Sequence, residues 1–489
     1  MLTRRQLFSH ALLTGALMPL CGAQRSFADL PTKDTAALAN LHNRVLNDTK
    51  RLIGHDKPTL RLLYPAGCRA NLEYAVTSFT DATGIHIELL ETDVDHINTE
   101  ILIKAANNLP HFDIALPASF GIPDLVSADA ILPLDNFARQ YEPAFFRDGQ
   151  LYRHADSFNG RFYGYQTDGD AYLVFYNKAM FDDPGNQTQF EKVHGKAISL
   201  PKTWEELDRL IRFFHRPDTQ QFGGCLFRSP GYLAWEWWSR FHAKGYFPFD
   251  KQLLPQIDNE AGVQALEDLI AISAFLHPKV ATDTLFENWS HYAEGQSFCN
   301  IGWGGTQKYL NSAKSKVRGR LYFSSTPGGM VDGQLLECPV FNWGWNYVVS
   351  SRSAHPELAY LFTLYACSPV ISTIAVANPE GFFDPFRDEH YRDSTIAQTY
   401  SEAFLTAHKE SMAKCIPDLY LPNQSRYLAV LQENIHLAYR QVVSAKAALQ
   451  ATAQQWRYIT ARSDKSKAMG AWLELRDKYP PVLRQRLKG

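Results

Sequence analysis

Apolar and polar positions along residues 60 to 116 follow a pattern that predicts strands separated by helices. Short apolar runs predict strands, and longer stretches with apolar residues three and four apart predict helices. The predicted order is strand Leu60–Tyr64, helix Asn71–Thr83, strand Ile85–Leu90, helix Asp95–Asn107 and strand Phe112–Leu116. Strands joined in this way by helices predict a mostly parallel sheet covered by helices, so the fold class is α/β.

The stretch from Ser157 to Lys178 changes character twice. Asn159-Gly160 lies between aromatic-rich segments and readily takes the positive φ values of a two-residue hairpin turn. From Ala171 to Tyr176 both alternating faces are apolar, which predicts a strand covered on both sides. The polar residues Thr167 to Asp170 separate the hairpin from this strand. They predict a bend that lines a cleft.

The rest of the chain is mainly helical in pattern. A helical segment, Thr35 to Ile53, precedes the first strand, and helices with many aromatic residues fill Thr203 to about Leu321. Phe298 to Leu310 predicts a short strand that breaks at a glycine-rich loop and leads into a helix capped near Thr306. The tail from Tyr427 to Leu487 is helical and has no catalytic motif.

Length and composition favour two globular lobes. A chain of 489 residues, of which 45% are hydrophobic and 20% are charged, is long enough for two cores. A net charge of −2 gives no field that would attract nucleic acid or acidic membranes, so we expect no nucleic-acid partner. The cysteines form no Cys-x-x-Cys or Cys/His cluster, and we expect no metal and no cofactor. Whether any of the six after Cys21 form disulfides stays open.

Residues 1–28 have the features of an export signal. A basic start with Arg4-Arg5 precedes the apolar run from Ala11 to Leu20, and Ser26-Phe27-Ala28 is a small-x-small cleavage site. The paired arginines are typical of a twin-arginine signal, and an ordinary secretory signal is the alternative. We expect a mature chain in the periplasm without membrane insertion, since no later segment approaches ~18 uninterrupted apolar residues.

Several polar side chains are candidates for ligand contacts. Ligands bind at the carboxyl ends of strands in sheets of this kind, which places Tyr64 and Arg69 at one wall of a cleft. For Arg69 a solvated surface position is the alternative. Asp168 and Asp170 flank a glycine at the mouth of the buried strand and are the candidate hydrogen-bond acceptors.

Aromatic side chains are the second group of candidates. Trp303 lies on the glycine-flanked loop, where a ring can stack on the C–H face of a sugar. Trp343 and Trp345 alternate with small residues and are predicted to share one face of a strand, which is either the cleft or a helix-packing surface. Trp235, Trp237 and Trp238 cannot share one helical face, so Trp238 or Trp235 is a candidate, with core packing as the alternative.

The order of several segments resembles the sugar-type solute-binding proteins of ABC importers, the maltose-binding class. The segments are His111 to Asp135, the run G-R-F-Y-G-Y-Q-x-D with the strand ending Y-N-K, the helix opening at Thr203-Trp204, and Trp343 to Phe362. The resemblance runs with gaps from about Leu60 to Arg387.

The resemblance implies a two-lobe periplasmic binding protein fold in which each lobe is discontinuous in sequence. We expect residues 29–166 with 327–375 to form the N-terminal lobe and residues 167–326 with 376–489 the C-terminal lobe. It also implies that the loop containing Phe383 returns to the cleft. The expected partners are a small carbohydrate-like ligand and the permease subunits of an ABC transporter, and we expect a monomer.

Two functions compete at this stage. A binding protein that captures a sugar by hinge closure requires acceptors and aromatic platforms, which the candidates above supply. A secreted carbohydrate-active hydrolase would use Asp168 and Asp170 as its carboxylate pair. Residues two apart on a strand have Cα atoms ~6.6 Å apart, close to the ~6.5 to 9.5 Å between the carboxyl groups of inverting glycosidases. Distance alone therefore does not exclude the hydrolase. Both acids would lie on one wall, however, and the resemblance favours the binding protein. Ligand identity stays open, since two acids also fit an amino-bearing solute.

Overall fold

The computed structural model describes residues 35–54, 57–107 and 112–489 of the chain. The predicted export signal, residues 1–28, lies outside the described residues. The strands, in chain order, are β1 Thr59–Pro65, β2 His86–Thr92, β3 Ile114–Ala115, β4 Ser157–Phe158, β5 Arg161–Phe162, β6 Gly164–Gln166, β7 Leu173–Asn177, β8 Phe222–Cys225, β9 Ser297–Gly302, β10 Leu321–Ser325, β11 Gly329–Val331, β12 Gln334–Leu336 and β13 Asn346–Val349.

Two sheets organise these strands. The first has the order β2-β1-β3-β13-β6 and the second the order β10-β7-β9-β8. In the first sheet β1 pairs in parallel with β2 and β3, and β13 runs antiparallel to β3 and β6. In the second sheet β8 and β9 are parallel, whereas β7 runs antiparallel to β9 and β10. The chain passes from the first sheet to the second between β6 and β7 and returns between β10 and β13.

Helices cover both sheets and form the end of the chain. In chain order they are α1 Thr35–Ala39, α2 Leu41–Leu52, α3 Arg69–Thr83, α4 Ile97–Ala106, α5 Ile122–Ser127, α6 Asp135–Tyr141, α7 Lys178–Phe181, α8 Pro184–His194, α9 Trp204–Phe214, α10 Leu233–Ala243, α11 Glu260–Ser273, α12 Leu285–Ala293, α13 Gly304–Leu310, α14 Pro356–Ala366, α15 Pro369–Ala377, α16 Ser394–Tyr400, α17 Glu402–Met412, α18 Gln424–Tyr439, α19 Ala445–Ala461, α20 Lys465–Lys478 and α21 Pro481–Arg486. Of the tail helices, α18 packs against α10 and α19 against α11.

Local sequence signals explain where several elements begin and end. Helix α3 ends at Gly84, whose φ of 76° gives the left-handed cap that glycine favours. Thr203 begins α9 by accepting the N–H of Glu206 with its side chain. The predicted hairpin at Asn159-Gly160 is confirmed, with β4 and β5 antiparallel and φ values of 51° and 70° at the turn.

One predicted element differs in the structure. The segment Trp343 to Trp345 was expected on a strand, but β13 begins only at Asn346. Trp343 and Gly344 have φ values of 75° and 59°, so the chain turns there before it enters the sheet. The two indole rings therefore meet at 6.4 Å and 67° across a turn instead of lying in register on one strand face.

The six cysteines Cys68, Cys225, Cys299, Cys338, Cys367 and Cys415 are buried free thiols. Among the described residues no single helix is long and apolar enough to cross a membrane. The pair α14 and α15, bent by 64°, reaches that length and apolar composition only when the two helices are taken together.

Candidate functional site

A cavity of about 40 Å³ lies between the elements of the two sheets. Its wall is mainly aromatic, and its one acidic side chain is Asp170. The lining residues are Val94, Asp170, Tyr232, Leu285, Trp289, Trp303, Gly305, Trp343, Trp345 and Phe382. Val94 follows β2 of the first sheet and Trp303 follows β9 of the second, so elements of both sheets contribute to the wall.

Trp303 is held at the point where β9 turns into α13. Its indole N–H donates a hydrogen bond to Asn342 Oδ1 at 3.0 Å, and its backbone N–H donates to Thr306 Oγ1 at 3.2 Å. Its ring lies 4.9 Å from Tyr172 and 6.1 Å from both Phe227 and Trp343 between centroids. Only 5% of Trp303 is exposed, so this ring supports the core as well as the cavity.

The glycine-rich loop after β9 contacts a carboxylate of the protein itself. Gly304 N–H donates to Asp384 Oδ2 at 2.6 Å, and a Cβ at Gly304 would lie 2.4 Å from that carboxyl group. Glycine is therefore required for the close approach. The N–H of Gly304 is therefore occupied by Asp384 and not open to a ligand.

The turn at Trp343 brings a third wall to the cavity. Gly344 N–H donates to Asp170 Oδ2 at 2.9 Å, which ties the two connections between the sheets together. Trp343 is half-buried, and its ring stacks on Tyr232 at 5.8 Å and 9°. A positive φ at a tryptophan costs of order 1–3 kcal/mol and persists only where the surroundings impose it. The strained residue thus lies in the wall of the cavity.

Behind the cavity, three buried carboxyl groups lie close together, and Lys308 interacts with two of them, Asp384 and Asp168. One carboxyl oxygen from each of Asp168, Asp170 and Asp384 lies within 4.8 Å of the other two. Asp384 N–H donates to Asp168 Oδ1 at 2.6 Å, and Tyr400 Oη donates to Asp384 Oδ1 at 2.8 Å. Lys308 Nζ donates to the carbonyl of Phe383 at 2.9 Å.

Burial controls the protonation of this acidic cluster, defined as Asp168, Asp170 and Asp384. Desolvation, followed by repulsion from the neighbouring carboxylates, raises the pKa of Asp168 and of Asp170 well above their ordinary values. Desolvation also raises the pKa of Asp384 to about 6, against the opposing attraction of Lys308. Burial lowers the pKa of Lys308 to about 8. The cluster therefore holds protons at pH values where exposed carboxylates are ionised.

The structure brings four of the nine predicted site residues together around the cavity. These four are Asp170, Trp303, Trp343 and Trp345. Asp168 lies directly behind the wall, is 0% exposed, and its Oδ2 has no hydrogen-bond partner in the described structure.

The other four predicted residues do not line the cavity. Arg69 Nε pairs with Glu73 at 3.0 Å on the exposed face of α3, and Tyr64 Oη donates to Glu91 at 3.1 Å. Trp238 is buried against His242, with ring centroids 4.7 Å apart. Phe383 is buried and contributes its carbonyl to Lys308, whereas its neighbour Phe382 lines the cavity.

Sequence reasoning missed several side chains of the site. Tyr232, Trp289 and Phe382 complete the aromatic wall, and Asp384 and Lys308 complete the acidic cluster. Phe382 and Asp384 lie in the loop containing Phe383, which the resemblance implies returns to the cleft, so the position of this loop could be predicted. Trp289 had no local signal, since a tryptophan on a helix is most often core.

Two indole N–H groups at the cavity residues have no partner. Trp289 Nε1 and Trp343 Nε1 are buried and make no hydrogen bond in the described structure. A buried donor without a partner is costly, so an acceptor oxygen of a ligand that reached either N–H would stabilise it.

Comparisons with known proteins agree with this architecture. Residues 74–403, more than half of the chain, match the family model described as bacterial extracellular solute-binding protein. The maltose-bound MalE3 of T. maritima superimposes with a TM-score of 0.70 at 15% identity, covering 82% of this chain and 100% of its own. No curated protein sequence matches the chain.

Two further solved structures show the same fold. A solute-binding protein of an ABC transporter from Agrobacterium radiobacter K84, in complex with ribitol, has a TM-score of 0.71 at 15% identity over 83% of this chain and 99% of its own. The GacH receptor of Streptomyces glaucescens, studied with acarbose, has a TM-score of 0.68 at 16% identity over 84% of this chain and 100% of its own. The predicted two-lobe α/β fold is thereby confirmed.

Proposed function

Because the chain belongs to the bacterial extracellular solute-binding proteins, we propose that it captures a small hydroxylated solute, a sugar or a polyol, and delivers it to the permease of an ABC importer. The observation that carries this proposal is the aromatic cavity between the two sheets, with one carboxyl group in its wall. Aromatic faces pack on the C–H faces of a sugar, while Asp170 and the free indole N–H groups bind its hydroxyls. Solved neighbours of the same fold bind maltose and ribitol.

A ligand screen tests the proposal directly. We expect one or more members of a panel of sugars and polyols to raise the melting temperature of the mature protein, since a ligand that binds only the native state stabilises it by mass action. At a ligand concentration 100 times Kd the gain is ~2.7 kcal/mol. A panel that includes maltodextrins, pentitols and hexitols and gives no shift at millimolar concentrations would contradict the sugar or polyol assignment.

We further propose that residues 29–166 with 327–375 and residues 167–326 with 376–489 move as two lobes of a monomer in the periplasm. The order of the strands supports this division, because β1 to β6 come before the segment that builds the second sheet and β13 comes after it. Asp170, Trp343 and Trp345 lie on the connections between the two sheets. Hinge residues of this kind absorb the backbone rotation while each lobe stays rigid.

Hinge closure predicts a measurable change in size. A ligand that touches both lobes shifts the equilibrium toward the closed state by its differential affinity for the two states. We therefore expect the radius of gyration from small-angle X-ray scattering to fall when a ligand from the screen is added at saturation. An unchanged radius at saturation would exclude a large closure.

The proposed receptor does not hydrolyse glycosides. Glycosidases hold their two carboxyl groups on opposite sides of the bond, ~6.5 to 9.5 Å apart in inverting enzymes and ~5 to 5.5 Å apart in retaining ones. In this chain the carboxyl oxygens lie within 4.8 Å of one another, and only Asp170 reaches the cavity. We expect no release of nitrophenol from nitrophenyl glycosides even at high protein concentration. Sustained turnover that Asp168→Asn abolishes would restore the hydrolase hypothesis.

A further inference from the structure

The lining of the cavity suits a cation as well as the C–H faces of a sugar. Tyr232, Trp289, Trp303, Trp343, Trp345 and Phe382 present aromatic surface, and Asp170 is the one charged side chain among the described lining residues. Aromatic faces carry a negative quadrupole that attracts cations, most strongly for tryptophan.

The acidic cluster adds negative charge directly behind this wall. The titratable groups that interact with Asp170 are Asp168, Asp384, Cys68 and Tyr400. Lys308 interacts with Asp384 and Asp168, and His408 contacts the carbonyl of Gly169. Burial lowers the pKa of His408 to about 4 and raises the pKa of Cys68 and of Tyr400, so these three are neutral at pH 7. Among the described residues, Lys308 is the cation that acts on this cluster, through Asp384 and Asp168.

This imbalance leaves the cluster with more acid than base. If all three carboxyl groups ionise, Lys308 compensates one charge and two remain in a desolvated site. An excess of buried charge is removed either by protons or by a bound cation. Without a cation the protons stay on the cluster, in agreement with the raised pKa of each carboxyl group.

We propose that the solute is an amino-substituted sugar or polyol whose ammonium group binds against Asp170 and the tryptophan faces while its hydroxyl oxygens accept the free indole N–H groups. The proposal rests on the proposed function, because it specifies the solute of the same cavity. The ammonium group forms a charge-assisted hydrogen bond with the carboxylate and a cation–π contact with the rings. Binding then displaces a proton from the cluster into solvent.

Proton displacement fixes the sign of the pH dependence. Protons compete with the ammonium group for Asp170, so the affinity for an amine rises as pH increases through the raised pKa of this carboxyl group. An alkyl amine keeps its charge up to its own pKa near ~10.4, so the rise is not reversed before pH 8. A neutral polyol carries no charge to exchange and shows a smaller change.

A matched pair of ligands tests the inference. Glucamine and sorbitol differ by one amino group in place of one hydroxyl. We expect titration calorimetry of the mature protein at pH 7.5 to give an affinity for glucamine about 10-fold or more above that for sorbitol, as for a hydrogen bond to a charged group. We also expect the preference to shrink at pH 5.5.

Isosteric variants test whether the charge of Asp170 causes the preference for glucamine over sorbitol. Asp170→Asn keeps an oxygen that accepts the N–H of Gly344 but removes the charge, so it should abolish the preference for glucamine. Asp156→Asn is the matched control, because Asp156 is equally buried, has a pKa raised to about 7 by desolvation, and does not line the cavity. The preference should survive in that control.

Each result separates the two proposals. Equal or tighter binding of sorbitol overturns the amine inference and leaves the sugar or polyol receptor standing. A preference for glucamine that persists in Asp170→Asn places the cation elsewhere and also overturns the inference. If neither compound binds, the amine inference fails, while the broader panel of sugars and polyols decides the proposed function independently.

Discussion

Replacing Glu236 with glutamine should lower the free energy of unfolding by about 3 to 5 kcal/mol, the loss that follows when one partner of a buried ion pair is removed. Glu236 Oε2 accepts from Arg228 Nη1 at 2.7 Å, and Glu236 Oε1 accepts from Arg240 Nε at 2.8 Å. Arg240 also contacts Asp208 through both terminal nitrogens, at 2.9 and 2.7 Å. Without the Glu236 carboxylate, Arg240 keeps Asp208, whereas the buried guanidinium group of Arg228 loses the carboxylate with which it pairs.

The charge state of Glu236 agrees with this role. Burial raises its pKa, but the attraction of Arg228 and Arg240 outweighs burial and holds the pKa below the ordinary value. A group with a depressed folded pKa stabilises the fold above its unfolded pKa of ~4.3 and loses that contribution as pH falls through the folded value. The network is therefore intact at neutral pH, where denaturant unfolding should be measured.

An exposed pair provides the matched control for this measurement. Glu337 pairs with Lys414 at 3.0 Å, and their side chains are 45% and 51% exposed. Glu337→Gln should cost ~0 to 1 kcal/mol, as surface pairs do. A loss for Glu236→Gln as small as that of the control would contradict the structural role of the network. The network also positions the cavity, because Tyr232 immediately precedes the helix that carries Glu236 and Arg240.

Much of the fold could be predicted because its signals are local. The asparagine-glycine hairpin, the left-handed cap at Gly84 and the alternation of strands and helices all depend on residues close in sequence. The (i, i+4) spacing of Glu236 and Arg240 is equally visible in the sequence. Arg228 and Asp208 are not predictable as their partners, since packing of separate elements brings these side chains together.

The same distinction explains the site. Asp168 and Asp170 were selected because two acids flank a glycine between a hairpin and a buried strand, a local signal. Asp384 joins them from more than 200 residues further along the chain, through contacts with Asp168 and Gly304. Arg69 lies at a strand end as predicted, but the (i, i+4) partner Glu73 holds it on the surface of α3. The position of a residue at the end of a strand places its backbone near the cleft but does not decide which neighbour its side chain contacts.

The second large effect is expected at Trp343, where truncation to alanine should weaken binding of the ligand found in the screen about 30-fold or more. Large losses of this kind, of 2 kcal/mol or above, occur at tryptophans that lie at the centre of a binding surface. The Trp343 ring meets Phe120, Tyr232, Trp303 and Trp345 at centroid distances of 5.8, 5.8, 6.1 and 6.4 Å. It therefore connects the rings of the cavity wall.

Trp343 is better suited to this test than Trp303. Trp303 is 5% exposed and donates its indole N–H to Asn342, so Trp303→Ala should cost several kcal/mol of stability, as at other core aromatic positions. Trp343 is half-buried and its indole N–H is free. Trp343→Ala keeps the positive φ of the turn, so the change in stability reports the lost ring contacts and not a relieved backbone.

Affinity and stability should be measured on the same Trp343 variants. Trp343→Phe retains an aromatic face but lacks the N–H, so we expect it to lose only the ~0.5 to 1.5 kcal/mol of one hydrogen bond, which is less than Trp343→Ala loses. Tyr458→Ala, which removes a ring that is 58% exposed on α19, is the control and should change neither quantity. Unchanged affinity in Trp343→Ala would contradict a role of the Trp343 ring in binding. A loss of affinity in both Trp343 variants, with the control unchanged, would show that Trp343 contributes both stacking and a hydrogen bond.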